Sequence, residues 1–265
     1  MARRLSQLVD KPLDQDPVIE GVTADSRKVE PGFLFAALPG SRADGRAFAV
    51  QALARGAAAV IAEAPIEGVT APTVVTADPR RAYALAAAAY FGAQPDVCVA
   101  VTGTNGKTSV ATFCRQIFTR LGRTAASMGT LGVRAGDEQL TPPGLTTPDA
   151  ADVAELMAEL VDRGVTHLAL EASSHGIDQR RLDGVKLTAA GFLNLTQDHL
   201  DYHGTMDAYL AAKLRLFETL LPRGAGAVLN ADAADFPAFA AAAVVHGHSI
   251  LSVGEQGQTL KLVSA

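Results

Sequence analysis

The segment Gly103-Thr104-Asn105-Gly106-Lys107-Thr108 carries the residue types of a phosphate-binding loop. Glycines let backbone N–H groups approach phosphate oxygens, and a helix beginning there adds partial positive charge. A lysine at position 107 can reach the outer phosphates, and the hydroxyl of Thr108 can hold Mg2+. The spacing, Gly-x-x-Gly-Lys-Thr, is shorter than the common Gly-x-x-x-x-Gly-Lys-Thr form. The bland alternative is an ordinary Thr-Asn-Gly turn followed by a solvated first-turn lysine. Glu171 follows the apolar run Leu168-Ala169-Leu170, which puts a carboxylate where phosphate-loop proteins keep an acidic Mg2+ partner. Its alternative is a strand-end glutamate facing water.

A second group of candidates lies further on. Met206, Leu210, Lys213, Phe217 and Leu220 share the i, i+4, i+7 spacing of one helix face, which is apolar except for the lysine. A lysine at the edge of such a stripe ordinarily snorkels to solvent. Inside it, burial would lower its pKa and free a neutral amine for covalent chemistry. The run Asn194-Leu195-Thr196-Gln197-Asp198-His199-Leu200-Asp201-Tyr202-His203-Gly204 precedes this helix and is dense in ligand types. His199 and His203 have the spacing of a zinc helix, but Leu200 stands where a zinc protease keeps its general-base glutamate. His199 is left as a ligand to a second metal or to a phosphate end.

Positioning these groups requires a layered α/β chain. Strand candidates at 97–101, 166–170, 189–195 and 225–229 alternate with helix candidates at 107–121 and 206–221. Such alternation predicts a mainly parallel sheet with helices on both faces and ligands beyond the carboxyl ends of the strands. Before it, a smaller α/β unit is expected: strands at 33–37 and 57–62, a helix at 47–55 closed by Gly56, and another at 80–91 ended by Gly92. The polar break Gln94-Pro95-Asp96 sets the boundary, giving domains 1–93 and 94–265. From Ala231 onward the sequence is alanine-rich and weakly patterned, with no clear helix and only short apolar runs at 250–253 and 260–263. The second domain is therefore expected to be truncated.

A chain of 265 residues with 48% hydrophobic content has material for two modest cores. The formal charge is −5 and no basic run is longer than two residues. That excludes the footprint of a nucleic-acid binder, while small anionic ligands need only local positive charge. Nothing approaches the roughly 20 apolar residues of a membrane span, and the start lacks a signal-peptide core, so a cytoplasmic protein is expected. The two cysteines, Cys98 and Cys114, lie in apolar settings without Cys-x-x-Cys spacing and read as buried thiols.

Four separated motifs in order resemble the Mur ligase family: Gly103 to Thr108, Thr146-Thr147-Pro148, Glu171-Ala172-Ser173-Ser174-His175-Gly176, and Asp198 to Gly204 with Ala212-Lys213. The segment Asp25-Ser26-Arg27-Lys28-Val29-Glu30-Pro31-Gly32-Phe33-Leu34-Phe35-Ala36 is similar to the uridine-nucleotide domain of the family's diamino-acid-adding branch. The resemblance spans essentially the whole chain, and the short loop is the family's own form. It implies ATP- and Mg2+-dependent addition of a diamino acid, meso-diaminopimelate or L-lysine, to UDP-MurNAc-L-Ala-D-Glu through an acyl phosphate. By this resemblance Gly103, Thr104, Asn105, Gly106, Lys107 and Thr108 hold ATP, and Lys107, His199 and Lys213 serve catalysis. Thr108 and Glu171 hold one Mg2+ and His199 a second, which Lys213 helps place as a carbamylated lysine. Ser26 with Ser41, Arg42 and Ala43 would hold the UDP group, and Thr146, Thr147, Ser173, Gln179 and Arg181 the sugar-peptide. The resemblance also implies a C-terminal α/β domain with no counterpart here, so the chain alone is expected not to turn over. A folylpolyglutamate synthetase and a non-catalytic binder of nucleotide or UDP-sugar remain as alternatives.

Overall fold

The structure, a computed structural model, describes residues 2–9, 13–40 and 44–263. Two compact units divide the chain. One comprises Met1–Ala93 with Ala150–Glu155, and the other Gln94–Asp149 with Leu156–Ala265.

In the first unit four strands, Gly21–Thr23, Phe33–Ala36, Ala59–Ala62 and Thr73–Val75, pair in sequence order and all in parallel. Both faces are covered, as a parallel sheet requires. Leu34, Ala36 and Ile61 enter one core cluster with Tyr83 and Tyr90. Phe35, Val60 and Ala62 enter another with Ala49 and Ala52. This is the two-residue alternation of strand side chains. The helix Pro79–Phe91 starts where the Asp78 side chain accepts from the Arg81 amide, with proline in the first turn, and ends at Gly92. The helix expected at 47–55 is divided: a 3-10 turn, Gly45–Phe48, capped by Asp44, leads into Ala49–Ala54.

The second unit is built on a nine-stranded sheet. From one edge the strands run Glu138–Gln139, Gly132–Ala135, Ala125–Gly129, His167–Glu171, Val97–Thr102, Ala189–Phe192, Gly226–Asn230, Ser249–Gly254 and Leu260–Lys261. All neighbours are parallel except at the first edge, where Gly132–Ala135 pairs antiparallel with both Glu138–Gln139 and Ala125–Gly129. Val97–Thr102 therefore lies inside the sheet, between His167–Glu171 and Ala189–Phe192. The helix Lys107–Arg120 lies on the face bearing Val99, Val101 and Val228, whose side chains share a cavity of about 480 Å³ with Val110, Cys114 and Phe118 of the helix. The opposite face carries Phe192, stacked 3.6 Å from the ring of Phe239.

Two sequence expectations are corrected here. The region after Ala231 contains a full helix, Phe236–Val245, followed by the parallel strand Ser249–Gly254. Its sequence, Phe-Pro-Ala-Phe-Ala-Ala-Ala-Ala-Val-Val, is apolar all round. Periodicity is silent where no face is polar, although alanine is the best helix former. The helix expected at 206–221 is also not one continuous α-helix. It is α-helical over Met206–Arg215 and continues as a π turn, Leu216–Leu220. Its buried face is Tyr209, Ala212, Lys213, Leu216 and Phe217, whereas Met206, Leu210 and Leu220 are only half-buried. Tyr209, which the expected stripe did not include, is completely buried with its hydroxyl 3.2 Å from Thr104 Oγ1, and so joins the inner stripe.

Among the described residues no helix is long and apolar enough to cross a membrane. Cys98 and Cys114 are free thiols, and burial pushes Cys98 up to about 12.

Candidate functional site

Strand Val97–Thr102 runs directly into the glycine-bearing loop, and helix Lys107–Arg120 leaves from it. Gly106 is the helix N-cap at φ 87°, a left-handed conformation that glycine adopts without strain, and no side chain caps the first turn. The loop is held from the segment that follows strand Ala189–Phe192: Asn194 Oδ1 accepts from the amides of Thr104 at 3.1 Å and Asn105 at 2.9 Å. The Asn194 amide nitrogen returns a bond to the Asn105 carbonyl. Asn194 lies inside the ligand-dense run of the sequence, but nothing local marks it as the residue that shapes the loop.

Lys107 Nζ donates to the carbonyls of Gly103 at 2.8 Å and Thr104 at 2.9 Å. Burial lowers its pKa, and the nearby carboxylates of Glu171 and Asp198 oppose the shift. The same Gly103 carbonyl accepts from Lys213 Nζ at 3.0 Å. Lys213 is 1% exposed, with its amine 4.4 Å from the centre of the Tyr209 ring. Burial first, and the charge of Lys107 second, pull Lys213 down to about 7, while Asp198 pulls the other way. Two lysine amines, one fully buried and one half-buried, meet at one carbonyl oxygen, an arrangement that favours an anion beside them.

Glu171 is the last residue of its strand and 3% exposed. Its Oε2 accepts from Thr108 Oγ1 at 3.0 Å, and its Oε1 from the amide of Thr130 at 3.0 Å. Gly129 is required beside it, because a Cβ there would lie 1.9 Å from Glu171 Oε1. Thr130 and Gly129 escaped the sequence reading, since a Gly-Thr pair ending a strand is an unremarkable turn signal. One hydroxyl and one carboxylate at hydrogen-bond distance fit Mg2+, which keeps waters and phosphate oxygens for most of its shell. They do not make an all-protein cage, and among the described residues no group of three or more His, Cys, Asp or Glu could hold a metal by itself.

His199 has a left-handed backbone, φ 53°, and its Nε2 lies 3.5 Å from Asp198 Oδ2. Its ring meets His175 edge-on at 4.8 Å, and His175 also contacts Tyr202 at 4.1 Å and His203 at 5.5 Å. Burial lowers the pKa of His175 and of His203, with neighbouring positive groups adding to both shifts.

Thr146, Thr147, Ser173, Gln179 and Arg181 are linked to this centre by hydrogen bonds. Thr146 Oγ1 meets Thr130 Oγ1 at 2.9 Å. Thr147, 2% exposed, donates to the Glu171 carbonyl at 3.0 Å and lies 3.0 Å from Ser173 Oγ. Ser173 caps helix Ser174–Asp178 by accepting from the Gly176 amide. Arg181 donates to the Thr147 carbonyl at 2.6 Å and to Gln179 Oε1 at 2.7 Å. Buried Thr147 thus knits the loop, while Gln179 and Arg181 form the polar surface.

Ser26 belongs to the first unit, in the 3-10 turn Ser26–Lys28, and is 8% exposed. Asp25 caps that turn and is forked by Arg27, whose hydrogen bonds hold it down at about 2. Ser41, Arg42 and Ala43 lie outside the described residues.

Comparison with known proteins gives a consistent picture. Residues 101–264 match the model of the Mur ligase middle domain, and residues 18–97 that of the Mur ligase family, catalytic domain. The UDP-N-acetylmuramoyl-L-alanyl-D-glutamate--2,6-diaminopimelate ligase of Caulobacter vibrioides is 69% identical over 270 residues, which cover 100% of this chain and 56% of that protein. The enzyme of the same name from Rhizobium meliloti is 53% identical, over 92% of this chain and 50% of its own length. A solved structure bearing that name superimposes with a TM-score of 0.86 at 33% identity, covering 98% of this chain and 54% of the other. The chain thus spans about half the length of the relatives it matches.

Proposed function

Since the chain belongs to the Mur ligase family, we propose that it forms the UDP-muropeptide- and ATP-binding part of a ligase. That ligase joins a diamino acid, meso-diaminopimelate or L-lysine, to UDP-MurNAc-L-Ala-D-Glu. The carrying observation is the meeting of Lys107 and Lys213 on the Gly103 carbonyl, with Thr108, the residue after Lys107, bonded to Glu171. Phosphoryl transfer asks a protein chiefly for positioning and charge neutralisation, and this arrangement supplies both.

In this reading residues 1–93 take the uridine nucleotide, with Ser26 among its contacts, and residues 94–265 take ATP. The γ-carboxylate of the D-Glu attacks the γ-phosphate of ATP, forming an acyl phosphate as ADP leaves. The amine of the diamino acid then attacks the acyl carbon and expels phosphate. Lys107 leaves the loop carbonyls and faces the transferring phosphoryl group, while the loop amides steadied by Asn194 cradle the phosphates. Thr108 and Glu171 would hold Mg2+, which neutralises charge on the phosphate oxygens. Arg181 presents a planar fork suited to a substrate carboxylate or phosphate.

Lys213 is read as a carbamylated lysine. Its neutral amine attacks CO2, a C–N bond forms, one C=O electron pair moves to oxygen, and nitrogen releases a proton. The resulting anion, near cationic Lys107, would serve a second Mg2+ with His199. A nucleotide-handling ligase of this kind works in the cytoplasm.

Calorimetric titration with UDP-MurNAc-L-Ala-D-Glu, and separately with ATP and Mg2+, tests the reading. Saturable binding of both is expected; a folded chain that binds neither would remove the assignment.

A further inference from the structure

The ion pair between Asp183 and Arg215 is the most deeply buried of those recorded among the described residues, with side chains 2% and 13% exposed. Arg215 forks onto the carboxylate, Nη1 donating to Oδ1 at 2.9 Å and Nη2 to Oδ2, and Nη1 also donates to the Ile177 carbonyl at 3.0 Å. A buried ion pair is weak as a stabiliser, because desolvation offsets most of its attraction and apolar replacements are often neutral. Its geometry, however, is strict, since a two-point fork fixes both distance and orientation.

The pair joins two particular segments. Arg215 ends helix Met206–Arg215, two residues beyond Lys213. Asp183 lies two residues beyond Arg181, in the turn that follows helix Ser174–Asp178. That turn is strained: Arg180 has φ 62°, and the Asp183 amide donates back to the Arg180 carbonyl at 3.1 Å. A left-handed non-glycine residue persists only where its surroundings over-determine it, and the fork on Asp183, three residues on, is one of the anchors of this turn. Ile177, the third point of attachment, belongs to the helix that Ser173 caps.

We propose that Asp183–Arg215 is a positioning clamp that holds the Arg181 turn in register with the Lys213 helix, so that anion binding at Arg181 and carbamate formation at Lys213 are coupled. The proposal rests on the roles given above to Arg181 and Lys213. Coupling of this kind is reciprocal: whatever orders one end favours the other. The clamp residues touch no ligand themselves.

The test uses the 265-residue chain and the double variant Arg215→Met/Asp183→Leu, which removes both charges of the pair together. Arg215→Lys, which keeps the charge but not the fork, guards against misfolding of the double variant. Melting temperature should change by no more than about 3 °C for the double variant. Tryptic cleavage after Arg180 and Arg181 should rise at least about tenfold as the turn opens locally. The carbamate resonance raised by 13C-bicarbonate, with Lys213→Met as the blank, should weaken although Lys213 is intact. Arg215→Lys should fall between the two. A folded variant with unchanged cleavage and unchanged carbamate signal overturns the clamp. If the parent chain shows no carbamate, the reading of Lys213 fails and the coupling falls with it; a parent carbamate that persists undiminished in the double variant, even with raised cleavage, overturns the coupling alone.

Discussion

Replacing Lys213 by methionine should make the ligand-free chain more stable at neutral pH, an unusual outcome for removing a fully buried hydrogen-bonding residue. The amine falls from an ordinary 10.5 to about 7 on folding. Between those values the unfolded chain binds a proton that the folded chain does not, so stability contributed at this site rises with pH through that window and is lowest below about 7. With about 1.36 kcal/mol per pKa unit, the penalty at pH 7.5 is about 4 kcal/mol, falling to about 1 kcal/mol at pH 10. Methionine has similar length and no charge, but it forfeits the hydrogen bond to Gly103 and the contact with Tyr209. Those losses amount to about 2 kcal/mol together. The net expectation is a gain of about 2 kcal/mol at pH 7.5 that becomes a loss of about 1 kcal/mol at pH 10. Urea unfolding of both chains across pH 6.5–10, with bicarbonate excluded, measures it. A Lys213→Met chain that is less stable at every pH, or a difference that does not vary with pH, would refute the account of Lys213 as a desolvated amine.

Other substitutions probe the remaining parts of the site. Gly129→Ala puts a Cβ onto Glu171 Oε1; it should cost about 1–3 kcal/mol in urea unfolding and reduce the Mg2+ dependence of nucleotide binding in calorimetry. Thr108→Val leaves Glu171 its two bonds from Thr130, so stability should change by less than about 1 kcal/mol. Affinity for ATP should nevertheless drop about tenfold in the presence of Mg2+ and little in EDTA, and an equal drop in both would remove Thr108 from the metal. Arg181→Lys loses the fork that reaches Thr147 and Gln179, and titration should show muropeptide affinity weakened by about 1–3 kcal/mol. Phe239→Ala removes the ring stacked on Phe192 and edge-on to Phe217; a cost of about 3–5 kcal/mol is expected in thermal or urea unfolding.

Much of this protein is determined locally and can be read from its sequence. Strands at 97–101 and 166–170 are short apolar runs with turn residues after them, and the helix after Gly106 has its own periodicity, so strand, loop and helix follow from nearest-neighbour chemistry. The Gly-x-x-Gly-Lys-Thr segment and the strand-end Glu171 were legible for the same reason. What local pattern could not decide was of three kinds. The helix Phe236–Val245 has no polar face to reveal it, so its orientation is set by tertiary packing, with Phe239 against Phe192 and Phe217. Lys213 could be recognised as misplaced in its stripe, yet the stripe itself turned to include Tyr209, because a hydroxyl 105 residues away in sequence satisfies that phenol. Finally, the residues that make the centre work as a unit, Asn194 on the loop, Thr130 on Glu171 and Asp183 on Arg215, are common types at ordinary positions. Their partners are distant in sequence, so the hydrogen bonds that distinguish them exist only after the parallel strands have come together. Burial, which lowers Lys213 and holds two lysines at one carbonyl, is likewise a property of the packed sheet and helix rather than of any segment of the chain.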